Sequence, residues 1–268
     1  MTWDIAAVPA ESAAVPDRVT ALSNGDEIRP VWRNVLGGMT YRLGADTPRD
    51  RHVKWVPAGT PELDLEAEAE RLAWVQPFAS VPHVIDAGAD ETGSWLVTTT
   101  LPLRSAVDPR WIADPRTAVT AIGEGLRRFH DTVPIERCPF TWSVEERMRR
   151  VDERIASGEQ SAKWAPEHRA LSVHDARAIL AAPPPLDAVV CHGDACAPNT
   201  LLDDWGAFAA HVDLGSLGVA DRWADLAVAA WSTEWNYGPG WEDLLISAYG
   251  AGRDDERIAY YRLLWDLS

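Results

Sequence analysis

The densest group of chemistry-bearing residues is Cys191-His192-Gly193-Asp194-Ala195-Cys196-Ala197-Pro198-Asn199, which follows the apolar run Val189-Val190. A second apolar run leads into His211-Val212-Asp213-Leu214-Gly215. Two carboxylates and an amide are therefore expected at the ends of adjacent short strands. Oxygen ligands of this kind suit a hard cation such as Mg2+, and the set leaves one Asp free to act as a base. Each Asp alone reads better as an Asx turn closing a strand, and it is the whole arrangement that favours chemistry. Two other chemistries draw on the same residues. A metal site from Cys191, His192, Asp194 and Cys196 would mix ligand types, and the Cys-x4-Cys spacing fits no obvious zinc site. A nucleophile at Cys191 or Cys196 would need a matched base, and neighbouring His192 is expected on the opposite side of a strand.

The elements that must carry these residues fall into two parts. The N-terminal third reads as strands and turns. Arg29–Leu36 and Met39–Leu43 flank Gly37-Gly38 as a hairpin, and His52–Val56 makes a third strand closed by Pro57. A helix is expected from about Pro61 to Val75, with Leu65, Leu72 and Val75 as its apolar stripe, then strands at Val84–Ala87 and Trp95–Thr100. After Leu101-Pro102 the pattern turns helical, at Asp114–His130, Val144–Ala156 and Ser172–Ala181. The short strands Ala188–Cys191 and Ala207–Val212 interrupt it, and the helices Asp221–Trp235, Trp241–Gly250 and Asp255–Asp266 close it. The fold class is α+β in two lobes, divided as 1–100 and 101–268, with a cleft expected between them.

Composition bounds the function. With 268 residues, 46% hydrophobic and 25% charged, the chain has ample material for a core. The formal net charge of −16 argues against nucleic acid and anionic membranes as partners, and suits a cationic ligand or simple solubility. Three cysteines make no disulfide framework, and no stretch approaches the ~18 apolar residues of a membrane span, so a cytoplasmic setting is expected. Of 25 basic residues only Lys54 and Lys163 are lysine. A Lys kept against that background marks a position where a compact ammonium is wanted.

The run His192-Gly193-Asp194-x4-Asn199 followed by Asp213-Leu214-Gly215 resembles the catalytic and metal loops of the aminoglycoside O-phosphotransferases, which share the protein-kinase fold. Arg137-Cys138-Pro139-Phe140 and Tyr260-Tyr261-Arg262-Leu263-Leu264 are similar to stretches of the 3′ and 3″ subfamilies. The resemblance implies a small β-rich nucleotide-binding lobe and a larger helical catalytic lobe. It implies ATP (or GTP) and Mg2+ as cofactors, with Asp194 handling the acceptor hydroxyl and Asn199 and Asp213 holding the metal. Lys54 would position the phosphates while paired with a helix glutamate, of which Glu68 fits best among Glu66, Glu68 and Glu70. Gly38, Met39 and Thr40 would cradle phosphate, and Thr98, Thr100 and Leu101 would form the hinge that meets the base. The acceptor would be a cationic aminoglycoside, bound by carboxylates among Glu159, Glu167, Glu234, Glu242 and Asp266 with Trp235 beside them. The Trp231–Tyr237 stretch and Trp265-Asp266 point to a less cationic acceptor such as the streptomycin type. A kinase of another small molecule (an amino sugar, a sugar or a choline-like alcohol) and a catalytically silent scaffold are the alternatives. A monomer or weak dimer is expected.

Overall fold

The computed structural model describes residues 6–7, 14–34, 36–158 and 161–268, so Glu159 lies outside the described residues. The chain divides into two compact units. The first runs to Pro77 and resumes over Val81–Pro102; the second holds Phe78–Ser80 and Leu103–Ser268.

The first unit is a sheet of β1 (Ala6–Ala7), β2 (Ile28–Asn34), β3 (Met39–Leu43), β4 (Arg51–Pro57), β5 (Val84–Ala89) and β6 (Gly93–Thr99). Its order is β1-β2-β3-β4-β6-β5, antiparallel throughout. Alternation buries Tyr41 and Leu43, Val53, and Trp95 and Val97 on one face, where Val19 of helix α1 (Asp17–Ser23) joins them. Helix α1, two turns that start directly after Pro16, lies where strands and turns alone were expected. Register places Lys54 opposite Thr40 on β3 and Leu96 on β6. Helix α2 (Leu65–Val75) begins four residues later than the sequence suggests. Glu62 sits at φ +66, which breaks any earlier turn, and the Asp64 side chain accepts the Ala67 N–H at 2.9 Å as the N-cap. The buried stripe of α2 is Leu65, Glu68, Leu72 and Val75. A carboxylate therefore occupies a core position, a placement that requires a partner.

The second unit is helical. Helix α3 (Pro109–Ile112) precedes α4 (Pro115–Thr132), which is followed by α5 (Val144–Ala156), α6 (Val173–Leu180), α7 (Trp223–Tyr237), α8 (Glu242–Tyr249) and α9 (Asp255–Leu267). Helices α4, α5 and α6 start at side-chain caps from Asp114, Ser143 and Ser172. Helix α4 buries Val119, Ile122, Leu126 and Phe129. Helix α7 is buried on all sides over Trp223–Thr233, as expected of an apolar helix at the centre of a bundle. Five short strands complete the unit. Strand β7 (Arg104–Ser105), β9 (Thr200–Leu202) and β10 (Phe208–His211) form one sheet, and β8 (Ala188–Cys191) pairs with β11 (Gly218–Asp221) in another. The two strands expected to be neighbours, β8 and β10, thus belong to different sheets. Strand β11, hidden in Gly-Val-Ala-Asp, takes the place beside β8 that the sequence reading gave to β10.

Candidate active site

The loop after β8 is held by hydrogen bonds from most of its residues. His192 places both ring nitrogens on backbone: Nε2 donates to Val212 O at 2.9 Å, and Nδ1 accepts the Asp194 N–H at 3.3 Å. The ring is therefore the Nε2–H tautomer, and it ties the loop after β8 to the end of β10. A second tie runs from Val212 N to Asn199 O at 3.0 Å. These two bonds unite the loops that sheet pairing leaves separate. Gly193 sits at φ +88, and a Cβ there would lie 2.2 Å from Ser216 O, so glycine alone fits.

Beneath the loop, Asp225 of α7 accepts His192 N–H at 2.6 Å and Gly193 N–H at 2.8 Å, and His130 of α4 donates Nε2–H to it at 3.0 Å. Burial alone would raise the Asp225 carboxyl, but the His130 bond and charge, with the backbone donors, outweigh burial and hold it below the usual range. The other nitrogen of His130 meets the Tyr249 hydroxyl at 2.9 Å. Cys191 lies within 4.8 Å of this pair, yet its thiol donates to Asp221 O at 3.2 Å and burial pushes it well above its ordinary range. With Cys191 a neutral thiol and His192 committed to backbone, neither the Cys/His metal site nor the cysteine nucleophile has its parts.

Asp194 stands at the centre. Its Oδ1 accepts the Cys196 thiol at 3.1 Å, and its Oδ2 accepts Asn199 Nδ2 at 3.2 Å. The same Asn199 Nδ2 donates to Asp194 O at 2.9 Å. Burial, and then the charge of Asp213, raise the Asp194 carboxyl. With the Asn199 amide nitrogen turned to Asp194, its Oδ1 is the atom left for a cation. Asp213 sits at φ +66, a strained setting for a non-glycine residue that marks sites where a side chain must be presented. An amide oxygen and a carboxylate beside a second carboxylate are a fitting donor set for Mg2+.

In the first unit, Lys54 Nζ and Glu68 Oε1 are 2.6 Å apart, with Glu68 buried and Glu66 and Glu70 exposed. Of the expected phosphate cradle, Gly38 N–H is already given to Asn34 Oδ1 at 2.8 Å, an Asx-type turn that closes the hairpin. Met39 and Thr40 are strand residues of β3. Thr98 lies inside the ladder between β4 and β5, and Thr100 Oγ1 donates to Asp50 at 2.8 Å; Leu101 is half-buried.

The acceptor candidates separate by burial. Glu167 and Glu234 are exposed. Asp266 is spent internally, accepting Ala165 N–H at 2.8 Å and His168 Nδ1–H at 2.6 Å, and Glu242 pairs with Arg262 at 2.5 Å. Trp235 is half-buried and forms a triangle with Trp231 and Trp265 at centroid distances of 4.9, 5.9 and 5.5 Å. Burial, and then Glu242, raise the Glu234 carboxyl beside it. Cys196, weighed from the sequence as a metal ligand or a nucleophile, instead donates its thiol to Asp194 Oδ1. Ser232, whose Oγ accepts Ala197 N–H at 2.9 Å, is joined to the loop by tertiary packing that no local signal announces.

A β-rich unit with a Lys–Glu pair and a helical unit with this loop pair define the class of kinase-like phosphotransferases. Residues 29–261 match the family described as phosphotransferase enzyme family. The chain is 34% identical over 249 residues to the aminoglycoside 3′-phosphotransferase of Streptomyces fradiae, covering 85% of this chain and 90% of that one. It is 33% identical to the streptomycin 3″-kinase of Streptomyces griseus, covering 84% and 86%. Among solved structures, an aminoglycoside 3′-phosphotransferase of type VIII superposes with a TM-score of 0.77 at 31% identity, over 94% of this chain and 98% of that one. A 3″-type aminoglycoside phosphotransferase from Streptomyces rimosus, in complex with ADP and streptomycin, does so with a TM-score of 0.74 at 27% identity, over 94% and 99%. The chain belongs to the phosphotransferase enzyme family and has its kinase-like fold. Among the described residues no helix is long and apolar enough to cross a membrane.

Proposed function

We propose that this protein transfers the γ-phosphoryl group of ATP to a 3′ or 3″ hydroxyl of an aminoglycoside, with Mg2+, in the cytoplasm. The observation that carries the reading is the pairing of Asp194 with Asn199 and Asp213 on loops tied together by His192, in a chain of this family. Asp194 orients the acceptor hydroxyl and takes its proton; burial keeps its carboxyl basic enough to do so. Asn199 Oδ1 and the Asp213 carboxylate hold the cation. Mg2+ when bound neutralises charge on the phosphate oxygens. Lys54, steadied by Glu68, directs its ammonium at the phosphates. Because phosphoryl transfer is loose, these residues act by positioning and charge.

The relatives named above act on aminoglycosides, one of them on streptomycin. Glu167 and Glu234 supply exposed carboxylates for ammonium groups. The Trp231–Trp235–Trp265 triangle adds aromatic faces next to Glu234, a setting for a planar cation such as the guanidinium groups of streptomycin. ADP release should be followed with ATP, Mg2+ and kanamycin, neomycin, streptomycin or glucosamine. The expected result is acceleration by at least one aminoglycoside well above the acceptor-free rate. No acceleration by any aminoglycoside with turnover of glucosamine would move the protein to the small-molecule kinases, and no turnover and no ATP binding would make it a scaffold.

A further inference from the structure

The Asp194 carboxylate is gripped at both oxygens by unlike donors. Oδ2 takes the amide N–H of Asn199, a residue that also holds Asp194 O, so this side of the carboxylate is fixed to the loop itself. Oδ1 has one side-chain donor among the described residues, the thiol of Cys196 at 3.1 Å. The backbone next to the thiol is itself held. The next residue, Ala197, gives its N–H to Ser232 Oγ on α7, and Asn236 Nδ2 donates to the same oxygen at 3.1 Å. The brace runs from α7 through Ser232 and Ala197 to Cys196, and from there to the reacting oxygen.

We infer that Cys196 is a positioning residue of the phosphoryl-transfer reaction: its thiol fixes the rotation of the Asp194 carboxylate so that Oδ1 faces the acceptor hydroxyl. This rests on the reading of Asp194 given above. The choice of sulfur has a physical rationale. A thiol is a weak donor and orients a carboxylate while withdrawing little of its electron density, so Oδ1 keeps its capacity to accept a second proton. A donor as strong as an ammonium would fix the group equally well and weaken it as a base. The thiol also stays a donor under working conditions, because burial and then the Asp194 charge push its ionisation far above neutrality. A role in orientation through the carboxylate, rather than in ligand contact, predicts a loss in turnover with ligand binding unchanged.

The test compares Cys196→Ala, Cys196→Val and Cys196→Ser in the full chain, with Asp194→Asn as reference and folding checked by circular dichroism. Valine restores volume without a donor, and serine restores a donor. The expected result is a loss of about tenfold in kcat for the alanine and valine variants, the scale on which a misplaced reacting group is felt, with KM for ATP and acceptor within about twofold. Serine should recover most of the loss. Activity of the alanine or valine variant close to the parent overturns the inference. So does a loss expressed in KM, or a serine variant as slow as valine, which would assign Cys196 to ligand contact or to packing. If alanine unfolds the loop, the valine and serine pair decides alone. Should Asp194→Asn itself remain active, the assignment of Asp194 fails instead, and the two failures are distinguishable.

Discussion

At the scale of single residues, the site divides into groups that meet reactants and groups that hold those groups still. Asp194→Asn keeps the shape of the loop and removes the base. Turnover should fall by roughly 10^2 to 10^4, the usual worth of general-base catalysis, with the thermal midpoint nearly unchanged. A steady-state assay beside a melting curve checks both halves. Asn199→Ala removes the oxygen proposed for the cation and one donor to Asp194. Activity should then demand far more Mg2+ for half-saturation, and a titration at fixed ATP reads it. His211 has a different role. Its ring lies 4.7 Å from Phe208 and 5.3 Å from Phe129, and neither nitrogen has a hydrogen-bond partner among the described residues. Burial pushes it down to about 3 from 6.5. Between those two values the unfolded chain binds the extra proton, so stability declines as pH falls through the window and is complete only above it. The slope from this one group approaches about 1.4 kcal/mol per pH unit. His211→Phe should flatten that decline in denaturant titrations at pH 4 to 7; an unchanged slope would assign the acid sensitivity to other groups.

At the scale of elements, the loop after β8 depends on backbone geometry as much as on side chains. Gly193→Ala would force a Cβ against Ser216 O and strain a left-handed residue. Loss of activity together with a lowered melting temperature is expected, unlike the pattern for Asp194→Asn. The contrast also shows which features were open to a reader of the sequence. Helices α4, α5 and α6 were legible because a polar cap precedes an apolar stripe of period 3.6. The His-Gly-Asp loop stood out as a dense polar run after an apolar strand and Lys54 as one of only two lysines, while the roles proposed for them come from the family resemblance. The pairing of β8 with β11 was not legible, since a four-residue strand that opens with a glycine looks like a turn until tertiary contact fixes it. Asp266 and Glu242 were expected, from the resemblance, among the carboxylates that bind the acceptor. Their partners, His168 and Arg262, lie 98 and 20 residues away in the chain, a pairing that helical periodicity does not encode.

At the scale of the whole molecule, charge is the feature that acts at a distance. A net charge of −16 surrounds a site proposed to bind a polycation as well as an anionic nucleotide. Raising ionic strength screens both fields, with opposite effects on capture. KM for an aminoglycoside should rise between low and physiological salt, whereas KM for ATP·Mg should hold or fall. Parallel behaviour of the two constants would place recognition in local contacts alone. The scarcity of lysine has a practical consequence of another kind. Lys163 is exposed, whereas Lys54 is held against Glu68. Among side chains, an amine-reactive surface or dye therefore meets essentially one handle, and it lies outside the unit that carries the Lys–Glu pair. Tethering through that handle orients the molecules alike and leaves the ammonium at Lys54 intact, a property that lysine-rich proteins acquire only by engineering.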